Sequence, residues 1–177
     1  MAEIAREIRE CLARARLLAL DVDGTLTPGR VVYAGGVEVQ SFCVHDGQGL
    51  VWLRRAGVVL AWISGRGCDA TRRRAAELGV DELHLKVRSK SAVLQEIQRR
   101  LGIAAAETVA MGDDLPDLAL AAGSGVFACP ADARPEVRER ADLVTAARAG
   151  EGAARELAEA LLRARDQWDG TLERYRG

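Results

Sequence analysis

A chain of 177 residues is long enough to bury one sizeable core and too short for two ordinary domains. Its 25 Lys and Arg residues nearly balance 26 Asp and Glu, a formal net charge of -1, so it has neither the basic field of a nucleic-acid binder nor an acidic tail. Cys11, Cys43, Cys68 and Cys129 are scattered without a close pair, which argues against a zinc site or a disulfide framework and predicts a reducing, cytoplasmic setting.

Residues 1–16 mix charges with apolar positions at helical spacing. Ile4, Ile8 and Leu12, with Cys11 beside them, predict an amphipathic first helix, and the lack of a long apolar run predicts neither a signal peptide nor a membrane span. Leu17-Leu18-Ala19-Leu20 then runs straight into Asp21-Val22-Asp23-Gly24-Thr25. A continuous apolar run ended by turn chemistry reads as a buried parallel strand, and open α/β sheets place their ligands at the carboxyl ends of such strands. Asp21 and Asp23 are one residue apart, so on extended backbone they point the same way, and two carboxylates that close repel unless a cation sits between them. A hard divalent ion such as Mg²⁺ is implied. Gly24 lets the backbone turn close to a phosphate. Taken alone, Asp-x-Asp-Gly fits a calcium loop or an Asx-turn equally well.

Next, Val31-Val32-Tyr33, Ala34-Gly35-Gly36 and Val37 to Phe42 predict a β-hairpin, a flap over about residues 30–43. It is placed to overhang the site, and its valines and tyrosine are placed to seek a subunit partner. From Asp46 onward helices and strands alternate. Helices are expected over about 47–55, 68–78, 91–101 and 115–122, and strands over 58–63, 82–85, 108–111, 125–128 and 142–144. Strands separated by helix-length segments predict an α/β, Rossmann-like, three-layer, doubly wound parallel sheet, with residues 1–177 forming one domain. A final helix over about 152–165 carries Leu157, Leu161 and Leu162. In the tail, about 166–177, Trp168 and Tyr175 predict an anchor, either on the chain's own body or in a neighbour's active site.

Three further stretches belong to the same sheet edge. The strand ending at Ile63 leads into Ser64-Gly65-Arg66-Gly67, whose hydroxyl and free N–H groups suit a phosphate oxygen, although Ser64 alone would also cap the next helix. Lys90, at a helix entry, can place a positive charge beside a transferring phosphoryl group, with Lys86 and Arg88 as rivals. Met111-Gly112-Asp113-Asp114 follows the strand at 108–111 and adds another carboxylate, Asp113.

In order and at these positions, the four stretches resemble the motifs of the haloacid dehalogenase superfamily of phosphatases. The resemblance implies that Asp21 is phosphorylated and Asp23 is the general acid and base. It also implies that Ser64, Gly65 and Lys90 bind the phosphoryl group, and that Mg²⁺ is held by Asp21, Asp113 and the main-chain carbonyl of Asp23. Asp114 and Asp117 would support or cap.

With only a hairpin between Thr27 and Asp46, the chain resembles the superfamily's capless branch, and within it the phosphatases of sugar-acid phosphates. The likeness takes in Phe42-x-Val44-x-Asp46-Gly47-x-Gly49, Ser64-Gly65-Arg66, Arg74, Lys90, Gly112-Asp113-Asp114 and Gly150 to Glu156. It implies hydrolysis of 3-deoxy-octulosonate 8-phosphate or a nonulosonate 9-phosphate, in lipopolysaccharide biosynthesis or a related route. His45, Asp46, Gly47, Arg66 and Arg74 would read the sugar, and a homotetramer would have a neighbouring subunit closing each site. The chain departs from that pattern at Cys43 and His45, where Asn and Arg are usual, and at Val51, where Arg is usual. Two other readings follow from those departures: a different small phosphate ester as substrate, or a scaffold that has lost its substrate. A receiver-type signalling domain does not fit, because its phospho-acceptor belongs at a later strand end.

Overall fold

The computed structural model describes residues 5–176, and its centre is β1 (Leu17–Leu20), in which every residue is buried. An amphipathic helix, α1 (Arg6–Arg14), precedes it. Ile4, expected on that helix's apolar face, lies outside the described residues, as do Met1 and Gly177. After β1 the chain makes the hairpin β2 (Val32–Ala34) and β3 (Val37–Val39), turned by Gly35 and Gly36, both at positive φ, 58° and 79°. Two consecutive positive φ values are what a tight two-residue hairpin turn requires.

Alternation follows: α2 (Val44–Arg55), β4 (Val59–Ile63), α3 (Asp69–Leu78), β5 (Glu82–His84), α4 (Lys90–Leu101), β6 (Thr108–Met111), α5 (Leu118–Ala121), β7 (Val126–Cys129), α6 (Pro135–Arg140), β8 (Leu143–Val144), α7 (Ala153–Ala164) and α8 (Trp168–Glu173). The six-stranded sheet has the order β5-β4-β1-β6-β7-β8 and all its pairings are parallel. From β1 the chain builds outward through β4 and β5, then crosses back to add β6, β7 and β8 on the other side. The strand order therefore reverses at β1, and the crevice at the carboxyl ends of β1, β4 and β6 is where such sheets bind ligands.

Alternate side chains of each strand feed two separate helical layers. Leu18, Leu20, Leu60, Trp62, Val109 and Met111 pack with α1, α2 and α7. Leu17, Ala19, Ala61, Ile63, Ala110 and Phe127 pack with α4, α5 and α6. Burial on both faces explains why these strands read as unbroken apolar runs.

Several elements differ from the sequence expectation. The second helix begins at Val44, not Gly47, so His45, Asp46 and Gly47 form its first turn. The helix expected over about 115–122 opens as a 3₁₀ turn at Leu115–Asp117. α6, which carries Pro135 at its first position, and α8 in the tail were not anticipated. The tail is anchored on its own body. The Tyr175 hydroxyl accepts from Trp52 Nε1 at 2.9 Å, Trp168 meets Trp52 edge-on at 5.8 Å, and the Arg155 guanidinium lies 4.0 Å from the Trp52 ring centroid. Among the described residues no helix is long and apolar enough to cross a membrane. Trp52→Ala is expected to lower unfolding free energy by about 3 kcal/mol and to open the tail to protease. Denaturant melts and limited proteolysis would show this, and an unchanged midpoint would mean that the aromatic anchor contributes nothing.

Candidate active site

β1 carries Asp21 and Asp23 to the crevice. Asp21 N–H still bonds to the Met111 carbonyl at 3.0 Å, and the chain then curls so that Leu26 and Thr27 N–H both reach the Val22 carbonyl, at 3.0 and 3.1 Å. The curl turns at Gly24, φ 103°, where a Cβ would overlap the Asp113 carboxylate. Only glycine satisfies both the angle and the approach.

Asp21, 4% exposed, makes an ion pair with the Lys90 ammonium, which also reaches Asp117 Oδ1 at 2.5 Å. Lys90 is the first residue of α4, a helix capped by the Ser89 hydroxyl on the Ala92 N–H. The other oxygen of Asp117 accepts from the N–H groups of Asp113 and Asp114, at 3.0 and 3.2 Å, and so shapes the loop after β6. Gly112 leaves room for that side chain. Asp114 caps the Leu115–Asp117 turn. Thr25 Oγ1 donates to Asp113 at 3.1 Å.

One carboxylate oxygen from each of Asp21, Asp113 and Asp117 lies within 4.8 Å of the others, and Lys90 is the lysine paired with this cluster. Burial, then repulsion by Asp117, raises the Asp21 carboxyl well above its ordinary range, against the pull of Lys90. The same two causes push Asp113 up to about 6. Burial opposes the charge on Lys90, but Asp21 and Asp117 outweigh it and raise its pKa. A pocket of hard oxygen donors with uncompensated negative charge fits Mg²⁺. Both oxygens of Asp117 are already engaged, which leaves Asp21 and Asp113 as the carboxylates open to a metal.

On the other side of Val22, Asp23 Oδ2 accepts from Ser64 Oγ at 2.7 Å, and Oδ1 accepts from Gln40 Nε2 at 2.9 Å, with Arg66 Nε at 3.6 Å. Ser64 Oγ also accepts the Arg66 N–H at 2.9 Å, and its main chain bonds to both His84 and Val87, which fixes the end of β4 against the end of β5. Gly65 follows in the same turn, and Lys86 faces Gly67 across it with φ 58°. Arg66 Nη2 reaches Glu38 of the hairpin at 2.9 Å.

The structure thus brings Asp21, Asp23, Ser64, Gly65, Arg66, Lys90 and Asp113 to one sheet edge. The remaining candidates lie elsewhere on α2 and α3. His45 is exposed on the first turn of α2. Asp46 is buried, its carboxylate accepting from Arg155 N–H at 2.7 Å and Gly152 N–H at 3.3 Å, so it holds the start of α7. Gly47 makes room for the Arg74 guanidinium, which pairs with Glu77 at 3.1 Å. Sequence reasoning overlooked Gln40, Thr71 and Thr25. Gln40 reads as one more residue of an alternating strand, and no local pattern marks it.

A family model for haloacid dehalogenase-like hydrolases matches residues 57–157. The chain is 34% identical over 158 residues to the 3-deoxy-D-manno-octulosonate 8-phosphate phosphatase KdsC of Haemophilus influenzae, covering 89% of this chain and 88% of that one. It is 36% identical over 156 residues to the KdsC of Escherichia coli K12, covering 87% and 82%. Among solved structures it is similar to the Moraxella catarrhalis octulosonate 8-phosphate phosphatase in complex with magnesium, phosphate and KDO, with TM-score 0.93, 33% identity, and 96% and 98% of the two chains covered.

The shifted carboxyls predict a pH signature. An unfolded chain releases the Asp113 proton near 3.8, the fold near 6. The stability contributed by the protonated form is therefore complete below the lower value and is lost as pH rises through the upper one. Metal-free protein should lose stability from this source between pH 4 and pH 7, and Mg²⁺ should restore more of it at pH 7 than at pH 5. Thermal melts at the two pH values, with and without Mg²⁺, check this. Asp113→Asn should flatten the dependence and remove the Mg²⁺ response.

Proposed function

The chain belongs to the haloacid dehalogenase-like hydrolases, and from that premise we propose that it is a Mg²⁺-dependent phosphatase of a sugar-acid phosphate monoester, 3-deoxy-D-manno-octulosonate 8-phosphate before any other. The observation that carries this is the pair at the end of β1: Asp21 held by Lys90 and Asp23 held by Ser64, with one residue between them. The relatives that share nearly the whole chain act, by name, on that octulosonate ester.

Asp21 attacks phosphorus in line, and the bond to the ester oxygen breaks as Asp23 protonates the departing alkoxide. Asp23, now ionised, takes a proton from water, which attacks phosphorus and releases inorganic phosphate and free Asp21. The Ser64 hydroxyl, the Gly65 N–H and the Lys90 ammonium hold the phosphoryl oxygens through both displacements. Asp21, Asp113 and the main-chain carbonyl of Asp23 would hold Mg²⁺, which when bound neutralises charge on the phosphoryl group. Arg66, beside Asp23, is the cation best placed for the substrate's acid group. Arg74 and His45 stand farther out on α3 and α2. Asp46 and Gly47 serve by shaping that neighbourhood: Asp46 fixes α7 and Gly47 seats Arg74.

The chain works as one domain, residues 1–177, in the cytoplasm, and assembles as a homotetramer in which a neighbour closes each site. Exposed Val31, Val32, Tyr33, Val37 and Val39 support the assembly. A two-stranded sheet is marginal on its own, and an apolar one invites a partner.

Asp21→Asn should abolish Mg²⁺-dependent phosphate release while the protein still melts in one cooperative transition; retained turnover would remove the assignment. A panel of octulosonate 8-phosphate, nonulosonate 9-phosphates, hexose phosphates and p-nitrophenyl phosphate decides the substrate, since activity on the aryl ester alone would overturn the sugar-acid half of the proposal. Val37→Asp should reduce the particle to a monomer in sedimentation, whereas an unchanged mass would dismiss the hairpin as the assembly surface.

A further inference from the structure

Gln40 lies one residue beyond β3, half-buried between the hairpin and α3. Its Nε2 donates to Asp23 Oδ1 at 2.9 Å, and its Oε1 accepts from Thr71 Oγ1 at 2.6 Å. Thr71, on the first turn of α3, is 2% exposed. The two bonds fix which way the amide faces, because turning it over would set its oxygen against the Asp23 carboxylate.

Among the described residues Asp23 has one further close donor, the Ser64 hydroxyl on Oδ2 at 2.7 Å, while Arg66 stands off at 3.6 Å and is engaged with Glu38. A serine hydroxyl has a single proton to give. When Ser64 turns that proton to a phosphoryl oxygen, its bond to Oδ2 is released, and Oδ2 becomes the oxygen free to carry the proton for the leaving group. The Gln40 bond to Oδ1 is then what keeps the carboxyl aimed.

We propose that Gln40 is the positioning residue for Asp23, itself held by Thr71, so that the hairpin supplies part of the proton-transfer apparatus. This rests on the general acid and base role assigned to Asp23 above. In the first displacement the proton passes from Asp23 Oδ2 to the alkoxide oxygen as the P–O bond breaks, and Oδ1 keeps its bond to Gln40 throughout. In the second, a water proton returns to Oδ2. Gln40 exchanges no proton and touches no reacting atom.

The test uses full-length protein with Mg²⁺ and two substrates, octulosonate 8-phosphate as an alkyl ester and p-nitrophenyl phosphate, whose phenolate leaves without being protonated. Gln40→Leu keeps the bulk and removes the donor, Thr71→Val unlocks the amide, and Thr71→Ser restores the hydroxyl. Gln40→Leu should lower kcat on the alkyl ester about ten- to a hundredfold with KM within about twofold, and should leave the first-turnover burst of p-nitrophenolate at its original rate. Thr71→Val should show a smaller loss of the same kind, and Thr71→Ser should recover it. If Gln40→Leu slows the alkyl ester and the burst alike, or neither, the proposal is overturned. Asp23→Asn separates the two levels. If it retains alkyl turnover, the acid assignment fails and takes the proposal with it; if it loses turnover while Gln40→Leu and Thr71→Val keep theirs, only the proposal fails.

Discussion

Everything at the sheet edge depends on one ammonium placed among buried carboxylates. Lys90 touches Asp21 and Asp117, and Asp113 stands close by with no ion-pair partner among the described residues. Removing one partner of a buried ion pair typically costs about 3–5 kcal/mol, because the abandoned charge stays desolvated. Lys90 therefore makes the folded site tolerable, beside the phosphoryl contact proposed for it. The remaining negative charge is what a divalent cation can satisfy. Gly24 and Gly112 follow from the same crowding: one lets Asp113 approach, the other lets Asp117 turn back onto its own loop.

The topology explains why so many groups converge. β1 sits between β4 and β6, so the loops after these three strands share one crevice: Asp21 and Asp23 from the first, Ser64 from the second, Asp113 from the third. The Ser64 main chain, bonded to His84 and Val87, ties β5's loop to the same point, and α4 begins close beyond it with Lys90. None of these residues has to be held by a long flexible loop. Their positions are set by strands with unbroken apolar burial, and rigid elements are what a positioned nucleophile needs.

How much of this was legible in the chain follows from how local each signal is. β1, the four short motifs and the hairpin declare themselves through spacing and turn residues within a few positions. The sheet's parallel order followed from helix-length connections. The start of α2 was misplaced because Gly47 and Gly49 weaken the helical signal, and nothing local says that Gly47 exists to seat Arg74. The resemblance gives Asp46 a part in reading the sugar, and nothing local in the chain signals that its carboxylate holds Gly152 and Arg155, more than a hundred residues away. α6 and α8, six residues each, are too short for a periodic pattern to stand out. Thr71, beside Arg72 and Arg73, carries no mark of its bond to Gln40. Contacts made across the fold leave no spacing to read.

β3 brings the valine surface and the Asp23 contacts into one short segment. Side chains alternate across it, so Val37 and Val39 face one way, and Glu38 and Gln40 the other. Pairing puts Val32 opposite Val39 and Ala34 opposite Val37, which makes the first face apolar and exposed. The second face holds Glu38 on Arg66 and Gln40 on Asp23. The exposed valines Val32, Val37 and Val39 and the contacts on Asp23 are therefore on opposite faces of the hairpin, with Tyr33, opposite Glu38, on the latter. An isolated pair of strands is too weak to hold a side chain rigidly. Cover on the valine face would stiffen the strand, and with it the donor on Asp23. Under the proposed assembly and the proposed acid-base role of Asp23, the alternation of one strand joins the two, with no conformational relay between distant sites.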